Sequence, residues 1–138
     1  MAIFTHAFHN ALASSNEGLL CIFGTFLDWS GWIAMLIFIF FLVKRERKIM
    51  LQNLAEEIQL GIITPEQFQI ACSPIHQSRT RLKAWQGKNR KVIDHFFDLC
   101  GELAHKKNQY LIHGDEGGNL AAIERIRIEI SALSPGIY

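Results

Sequence analysis

Residues 32–48 read WIAMLIFIFFLVKRERK, twelve apolar residues followed at once by five charged ones. A helix that is apolar on every side requires an apolar environment, and a basic cluster at its end is typical of the cytoplasmic edge of a membrane. Trp29 and Trp32 lie at the start of this run, and indole rings prefer the interface between water and lipid. The pattern predicts that the chain leaves a membrane at Lys44.

The distribution of charged residues along the 138-residue chain changes at the same position. All 14 Lys and Arg follow Val43, whereas the only charged residues before Lys44 are Glu17 and Asp28. A secretory signal peptide is excluded, because its basic residues would precede the apolar stretch. The net charge of +1 argues against a polycationic nucleic-acid binder. We therefore expect a membrane segment over residues 1–43 and a cytosolic α-helical tail over residues 44–138.

Two arrangements of the membrane segment are consistent with the sequence. Residues 18–43 are long enough for one transmembrane helix, but Asp28 would then lie near its middle, at a cost of about 2.5–3.5 kcal/mol. A hairpin avoids this cost if residues 28–31 form a turn between helices over about 3–27 and 30–43. We favour the hairpin, which returns Met1 to the cytoplasmic side; a single span leaves Met1 outside.

The first helix of the hairpin would carry a polar stripe. His6, Asn10, Ser14 and Glu17 fall within an arc of about 80° on an α-helix. Polar residues inside a membrane normally face other helices or a wet cavity, so the stripe predicts transmembrane partners that this chain does not supply. In the alternative interpretation, residues 14–18 form a surface loop and the histidines lie on a short interfacial helix.

The tail is predicted to be an all-α bundle of short helices, without strands or repeats. Thr64-Pro65-Glu66-Gln67 is a capping-box helix start, and Ser73-Pro74 ends that helix. Further helices are expected over about 75–86, 89–113 and 119–133, with Gly61 and Gly114 as terminators. Three apolar stripes follow from the spacing: Ile49, Leu51, Leu54, Ile58 and Leu60 after the charged cluster, then Val92, Phe96, Leu99, Leu103 and Tyr110, and finally Leu120, Ile123, Ile126 and Ile130. The three cysteines show no C-x-x-C spacing and are predicted to be reduced packing residues.

Three groups of residues carry candidate chemistry. His6 and His9 have a spacing that permits weak metal binding, although no third ligand is evident. Glu56-Glu57 is a carboxylate pair for which we favour a solvated helix face. The predicted lipid-contact residues are basic, and for them lipid contact or simple solvation is favoured over nucleic acid: Lys44, Arg45, Arg47, Lys48, Arg79, Arg81 and Lys83.

Several short motifs, in this order, resemble the carboxy-terminal part of PrsW-type intramembrane proteases. They are His6-Ala7-Phe8-His9-Asn10, Asp28-Trp29-x-Gly31, Arg45-Glu46-Arg47, Glu56-Glu57-Ile58, Glu102-Leu103-Ala104 and Glu124-Arg125-Ile126-Arg127. The family's His-x-x-x-Asp motif is matched by His6, with Asn10 in place of the aspartate. Its Glu-Glu-x-x-Lys and Phe-x-x-x-Glu motifs have no counterpart, since Glu56-Glu57 follows the apolar segment and lacks the lysine.

The resemblance implies an integral protein of the cytoplasmic membrane that contributes His6 and Asn10 to a catalytic site built mainly on other helices. A divalent metal would be a cofactor only in an active protease of this kind. Peptide hydrolysis needs an activated nucleophile and stabilisation of the oxyanion, so we expect the 138-residue chain to be inactive alone. The alternative hypothesis is a membrane-anchored helical interaction protein that binds a partner or the anionic leaflet.

Overall fold

The computed structural model describes residues 2–14, 18–85 and 89–137, and within these ranges the chain is entirely helical apart from its turns. The helices are α1 (Ala2–Ser14), α2 (Gly18–Gln59), α3 (Pro65–Ala71), α4 (Pro74–Ala84), α5 (Arg90–His113) and α6 (Asn119–Leu133), and a short 3₁₀ turn covers Ser134–Gly136. The all-α class predicted from the sequence is confirmed. Among the described residues, no helix combines the length and apolar character that crossing a membrane requires.

The chain forms two compact units, Met1–Leu42 and Val43–Tyr138. In the first unit, every side chain that the structure describes is exposed. Phe4 and Phe8 stack on one another along α1, with ring centroids 6.4 Å apart. This unit therefore has no apolar core among its described side chains.

The predicted turn at residues 28–31 is wrong, because these residues lie inside α2. Proline is absent from α2, and a helix-interior glycine costs only about 1 kcal/mol, which an unbroken ladder of backbone hydrogen bonds outweighs. The predicted helices over 3–27 and 30–43 are accordingly replaced by α1, which ends at Ser14, and α2, which begins at Gly18. A short helix bearing the histidines agrees with the alternative interpretation. Of the loop proposed over residues 14–18, Ser14 and Gly18 are instead helical, and residues 15–17, Glu17 among them, lie outside the described residues.

The second unit contains the apolar core. Its centre is α5, against which α6 packs along most of its length, while α3 and α4 pack near the amino-terminal half of α5. The most deeply buried apolar side chains are Leu54, Phe96, Cys100, Leu103, Ala104, Ile126 and Ile130. Cys72 and Cys100 are free and buried, as predicted for packing residues, whereas the side chain of Cys21 is outside the described part.

Helix boundaries in this unit follow the local signals of the sequence. Thr64 and Gln67 form the predicted capping box, in which each side chain accepts from the backbone amide of the other residue. Gly114 follows α5 with a positive φ of 71°, as expected for a helix terminator. Five positions of the predicted apolar stripes are wrong, because their side chains are exposed: Leu51, Leu60, Val92, Tyr110 and Leu120. Leu60 follows the end of α2, and the last three lie within four residues of an end of α5 or α6.

Candidate functional site

An uncovered apolar surface surrounds α2 before the basic residues. All side chains from residue 29 to residue 43 are exposed, including the large apolar ones. Monomeric soluble proteins rarely leave a continuous apolar surface of this kind open to water, and such surfaces mark sites of contact with lipid or protein. Residues 29–43 are therefore the first candidate interaction surface.

Basic side chains follow this surface directly on α2. Lys44, Arg45, Arg47 and Lys48 are all exposed, on more than one side of the helix. Glu46, between them, is paired with His105 of α5, whose Nε2 lies 2.7 Å from the Glu46 carboxylate. The end of the apolar surface is therefore predominantly positive. We call Lys44, Arg45, Arg47 and Lys48 the basic collar.

The three predicted lipid-contact residues of α4, Arg79, Arg81 and Lys83, differ in their surroundings. Arg79 and Lys83 are exposed on α4 and form no ion pair with any described residue. Arg81 instead points toward α5, where its Nη2 lies 2.9 Å from Asp98 Oδ1 and its Nε lies 3.4 Å from Asp94 Oδ1. Its guanidinium also lies over the ring of Phe97. Arg81 is therefore an internal ion-pair residue, and its charge is largely neutralised within the fold.

Arg81 and Arg47 also line one cleft of about 380 Å³ between α2, α4 and α5. The cleft is mixed in charge, because Glu46, Asp98 and Glu102 lie on its walls beside the two arginines. Cys72 also lines the cleft, and burial raises the pKa of this thiol to about 11. Burial likewise raises the pKa of Cys100 to about 12. Both thiols are protonated at neutral pH, and neither has the character of a reactive thiolate.

The residues of the predicted catalytic pair lie together on α1. His6 and Asn10 are one helical turn apart, and both are exposed. The side chain of His9 is outside the described part of the structure, so the predicted His6–His9 metal pair is not described. Among the described residues, no cluster of three or more His, Cys, Asp or Glu is placed to hold a metal ion.

The strongest polar constellation in the described residues is one that the sequence analysis missed. Glu57 of α2 is completely buried, not solvated as we expected. Its Oε1 accepts from Lys107 Nζ of α5 at 2.7 Å and from Arg127 Nη2 of α6 at 2.9 Å, and its Oε2 accepts from Arg127 Nε at 3.0 Å. A single carboxylate therefore joins three helices.

Two exposed carboxylates complete this ionic cluster, which comprises Glu56, Glu57, Lys107, Glu124 and Arg127. Glu56 Oε2 lies 2.6 Å from Lys107 Nζ, and Glu124 Oε1 accepts from Arg127 Nη1 at 2.9 Å. The hydrogen bond from Lys107 lowers the pKa of Glu56. The hydrogen bonds that Arg127 donates to Glu57 raise the pKa of Arg127 above its already high value. Both shifts favour the charged forms of Glu56 and Arg127.

A signal for the cluster is present in the sequence. Each of its three inner members occupies a position on the apolar stripe of its own helix: Glu57 follows Leu54 by three residues, Lys107 follows Leu103 by four, and Arg127 follows Ile123 by four. A charged residue on a buried stripe needs a partner of opposite charge. Glu57 is that partner for both Lys107 and Arg127.

The distinctive features of the described geometry are the exposed apolar surface with its basic collar, and the buried ionic cluster of the second unit. Comparison of the chain with family models, with curated proteins and with solved structures gave no match.

Proposed function

We propose that this chain is a membrane-anchored helical interaction protein. The observation that carries the proposal is the full exposure of residues 29–43, of which the last twelve are all apolar. At 1.5 Å per residue this stretch is about 22 Å long, shorter than a hydrocarbon core of about 30 Å. It embeds in the lipid, which covers the apolar side chains that the protein itself leaves open.

The charges that follow support the same proposal. Each basic residue close to an anionic leaflet contributes about 1 kcal/mol to binding, and Lys44, Arg45, Arg47 and Lys48 are exposed beside the apolar surface. By the positive-inside bias, the unit Val43–Tyr138 lies on the cytoplasmic side. The packed helices of this unit would present a partner-binding surface at the membrane.

Flotation with lipid vesicles tests the proposal. The full chain, mixed with vesicles of phosphatidylcholine and phosphatidylglycerol, is expected to float with the lipid. Ile37→Glu places a carboxylate in the embedded stretch and costs about 2.5–3.5 kcal/mol, so partitioning should fall on the order of 100-fold.

Ile112→Glu is the matched control, because Ile112 is an exposed isoleucine of the second unit with a similar exposed fraction, 65% against 52% for Ile37. This variant should float like the unchanged chain. Equal flotation of both variants, or no flotation of the unchanged chain, contradicts a lipid anchor at residues 29–43.

A second proposal follows the resemblance to PrsW-type proteases, in which this chain would be one part of an intramembrane hydrolase. The observation that favours it is the position of His6 and Asn10 one turn apart on α1, where the amide could orient the imidazole. The DNA before Met1 should then encode Glu-Glu-x-x-Lys in frame. In that longer protein His6→Ala should abolish cleavage of a membrane reporter, and unchanged cleavage would remove His6 from the site.

A further inference from the structure

The second unit carries an apolar groove that no described residue covers. Two hollows of about 360 and 460 Å³ share Glu124 and Arg127 as lining residues. Large exposed apolar side chains line them; these are Leu60 in the turn after α2, Leu111 of α5, and Leu120 and Ile128 of α6. We call this surface, together with Glu56 and Glu124, the acidic groove.

The groove presents negative charge outward. The side chains of Glu56 and Glu124 are 57% and 65% exposed, whereas Lys107 and Arg127 are only 13% and 18% exposed. The cations lie beneath the surface, where Glu57 binds both of them and each also pairs with an exposed carboxylate, Lys107 with Glu56 and Arg127 with Glu124. Three carboxylates against two cations leave the cluster with an excess of negative charge at its exposed edge. An occupant that buries the apolar side chains and complements this charge is apolar and basic together.

The same chain contains a helix of this chemistry. On α4, Ile75, Arg79, Leu82 and Lys83 recur at three- and four-residue spacing, and all four side chains are exposed. Arg79 and Lys83 have no acidic partner among the described residues. We call these four residues the basic face of α4.

The α4 helix of one chain cannot fill the groove of that same chain. Arg81 holds α4 against Asp94 and Asp98 of α5, while the groove begins at Lys107 and extends to Leu111. These two regions of α5 lie about 20 Å apart along the helix axis. The basic face of α4 can therefore reach an acidic groove only on another copy.

We propose that the basic face of α4 from one copy docks in the acidic groove of a second copy. Leu82 and Ile75 enter between Leu111 and Ile128, and Arg79 and Lys83 approach Glu56 and Glu124. The two surfaces differ, so the contact is heterologous, and each added copy leaves one groove and one α4 open. The inference uses only the unit Val43–Tyr138 and does not depend on the lipid anchor.

The contact is expected to be weak in dilute solution. One 11-residue helix in a groove buries less than the roughly 1,200 Å² of a standard interface. Its ion pairs are exposed at the rim, so association should weaken as salt is added. Concentration on a surface would favour assembly, because neighbouring copies are then held close together.

Complementary variants of the full chain in detergent micelles test the proposal. Leu111→Ser removes an anchor of the groove, and Leu82→Ser removes one from α4. Each variant should self-associate about tenfold more weakly than the unchanged chain in sedimentation velocity. An equimolar mixture of the two should form a dimer of one copy of each, because each variant retains the surface that the other lacks.

Ile112→Ser is the matched control for Leu111→Ser, since the neighbouring residue is similarly exposed, 65% against 74%, but does not line the groove. It should assemble like the unchanged chain, and circular dichroism should show all three variants folded. The proposal is overturned if the unchanged chain is monomeric at every concentration, if the mixture stays monomeric, or if Leu111→Ser and Ile112→Ser behave alike.

Discussion

Glu57 illustrates how a charged residue can be accommodated in a small helical core. Moving a carboxylate out of water is costly, and the cost is offset only when hydrogen bonds and opposite charges replace the lost hydration. Glu57 receives three such bonds from Lys107 and Arg127, on two different helices. Because these bonds are specific in direction, they set the relative positions of α2, α5 and α6.

Glu57→Gln should destabilise the protein strongly, because Lys107 and Arg127 would lose the anion that they share. Removing one partner of a buried ion pair costs about 3–5 kcal/mol, and we expect a loss in this range in urea unfolding followed by circular dichroism.

Glu56→Gln is the control, since this carboxylate is exposed and should contribute at most about 1 kcal/mol. The pKa of Glu56 is lowered in the folded state, so its contribution is present above the ordinary glutamate pKa and is lost as the pH falls through the folded value. A Glu57→Gln variant as stable as Glu56→Gln would show that the buried cluster contributes little.

At the scale of elements, the end of α2 is closed by backbone geometry. Gly61 has a φ of 69°, its amide donates to the carbonyl of Ile58 at 3.1 Å, and the amide of Ile62 donates to the carbonyl of Glu57 at 3.0 Å. This pair of bonds is a Schellman motif, which satisfies two carbonyl groups that the helix end would otherwise leave open. The same residue that anchors the ionic cluster thus also anchors the end of its helix.

Two glycine substitutions should have opposite effects on stability. Gly61→Ala forces a side chain into the left-handed region and should cost about 1–2 kcal/mol. Gly101 lies inside α5, where an added Cβ meets no atom within 4 Å, so Gly101→Ala should stabilise by about 0.5–1 kcal/mol. Thermal unfolding of the two variants measures both effects. A Gly61→Ala variant as stable as the unchanged chain would contradict the assigned end of α2, and a destabilised Gly101→Ala variant would contradict the open space beside Gly101.

At the scale of the whole molecule, apolar surface and charge are segregated along the chain. The first unit exposes every described side chain, whereas the second encloses a core and carries the basic collar at its start. We expect this segregation to govern how the protein associates with lipid, since apolar and electrostatic contributions act on adjacent segments.

Replacing Lys44, Arg45, Arg47 and Lys48 by Gln should weaken binding to vesicles that contain phosphatidylglycerol by about 1 kcal/mol per residue. Binding to vesicles of phosphatidylcholine alone should change little, because no anionic lipid is present. Arg81→Gln should leave both affinities unchanged, since Asp94 and Asp98 already bind this residue. Equal losses on both vesicle types would exclude an electrostatic role for the collar.

Much of the second unit was predictable because its signals are local. The capping box at Thr64, the terminator glycines and the stripe of α6 from Ile123 to Ile130 act within a few residues, and the structure confirms them. The predicted turn at residues 28–31 was wrong because helix formation is cooperative over a longer stretch. Asp, Ser and Gly favour a turn individually, but the helix formers on both sides continue the backbone hydrogen bonds through them.

The sequence by itself determined the all-α class, most helix ends of the second unit and the change from apolar to charged at Lys44, because each depends on neighbouring residues. Only the tertiary structure decided which charges are buried. Glu57, Lys107 and Arg127 are separated by 50 and 20 residues along the chain, and their pairing exists only once three helices pack together. The acidic groove likewise arises from side chains of α2, α5 and α6, which no local pattern places side by side.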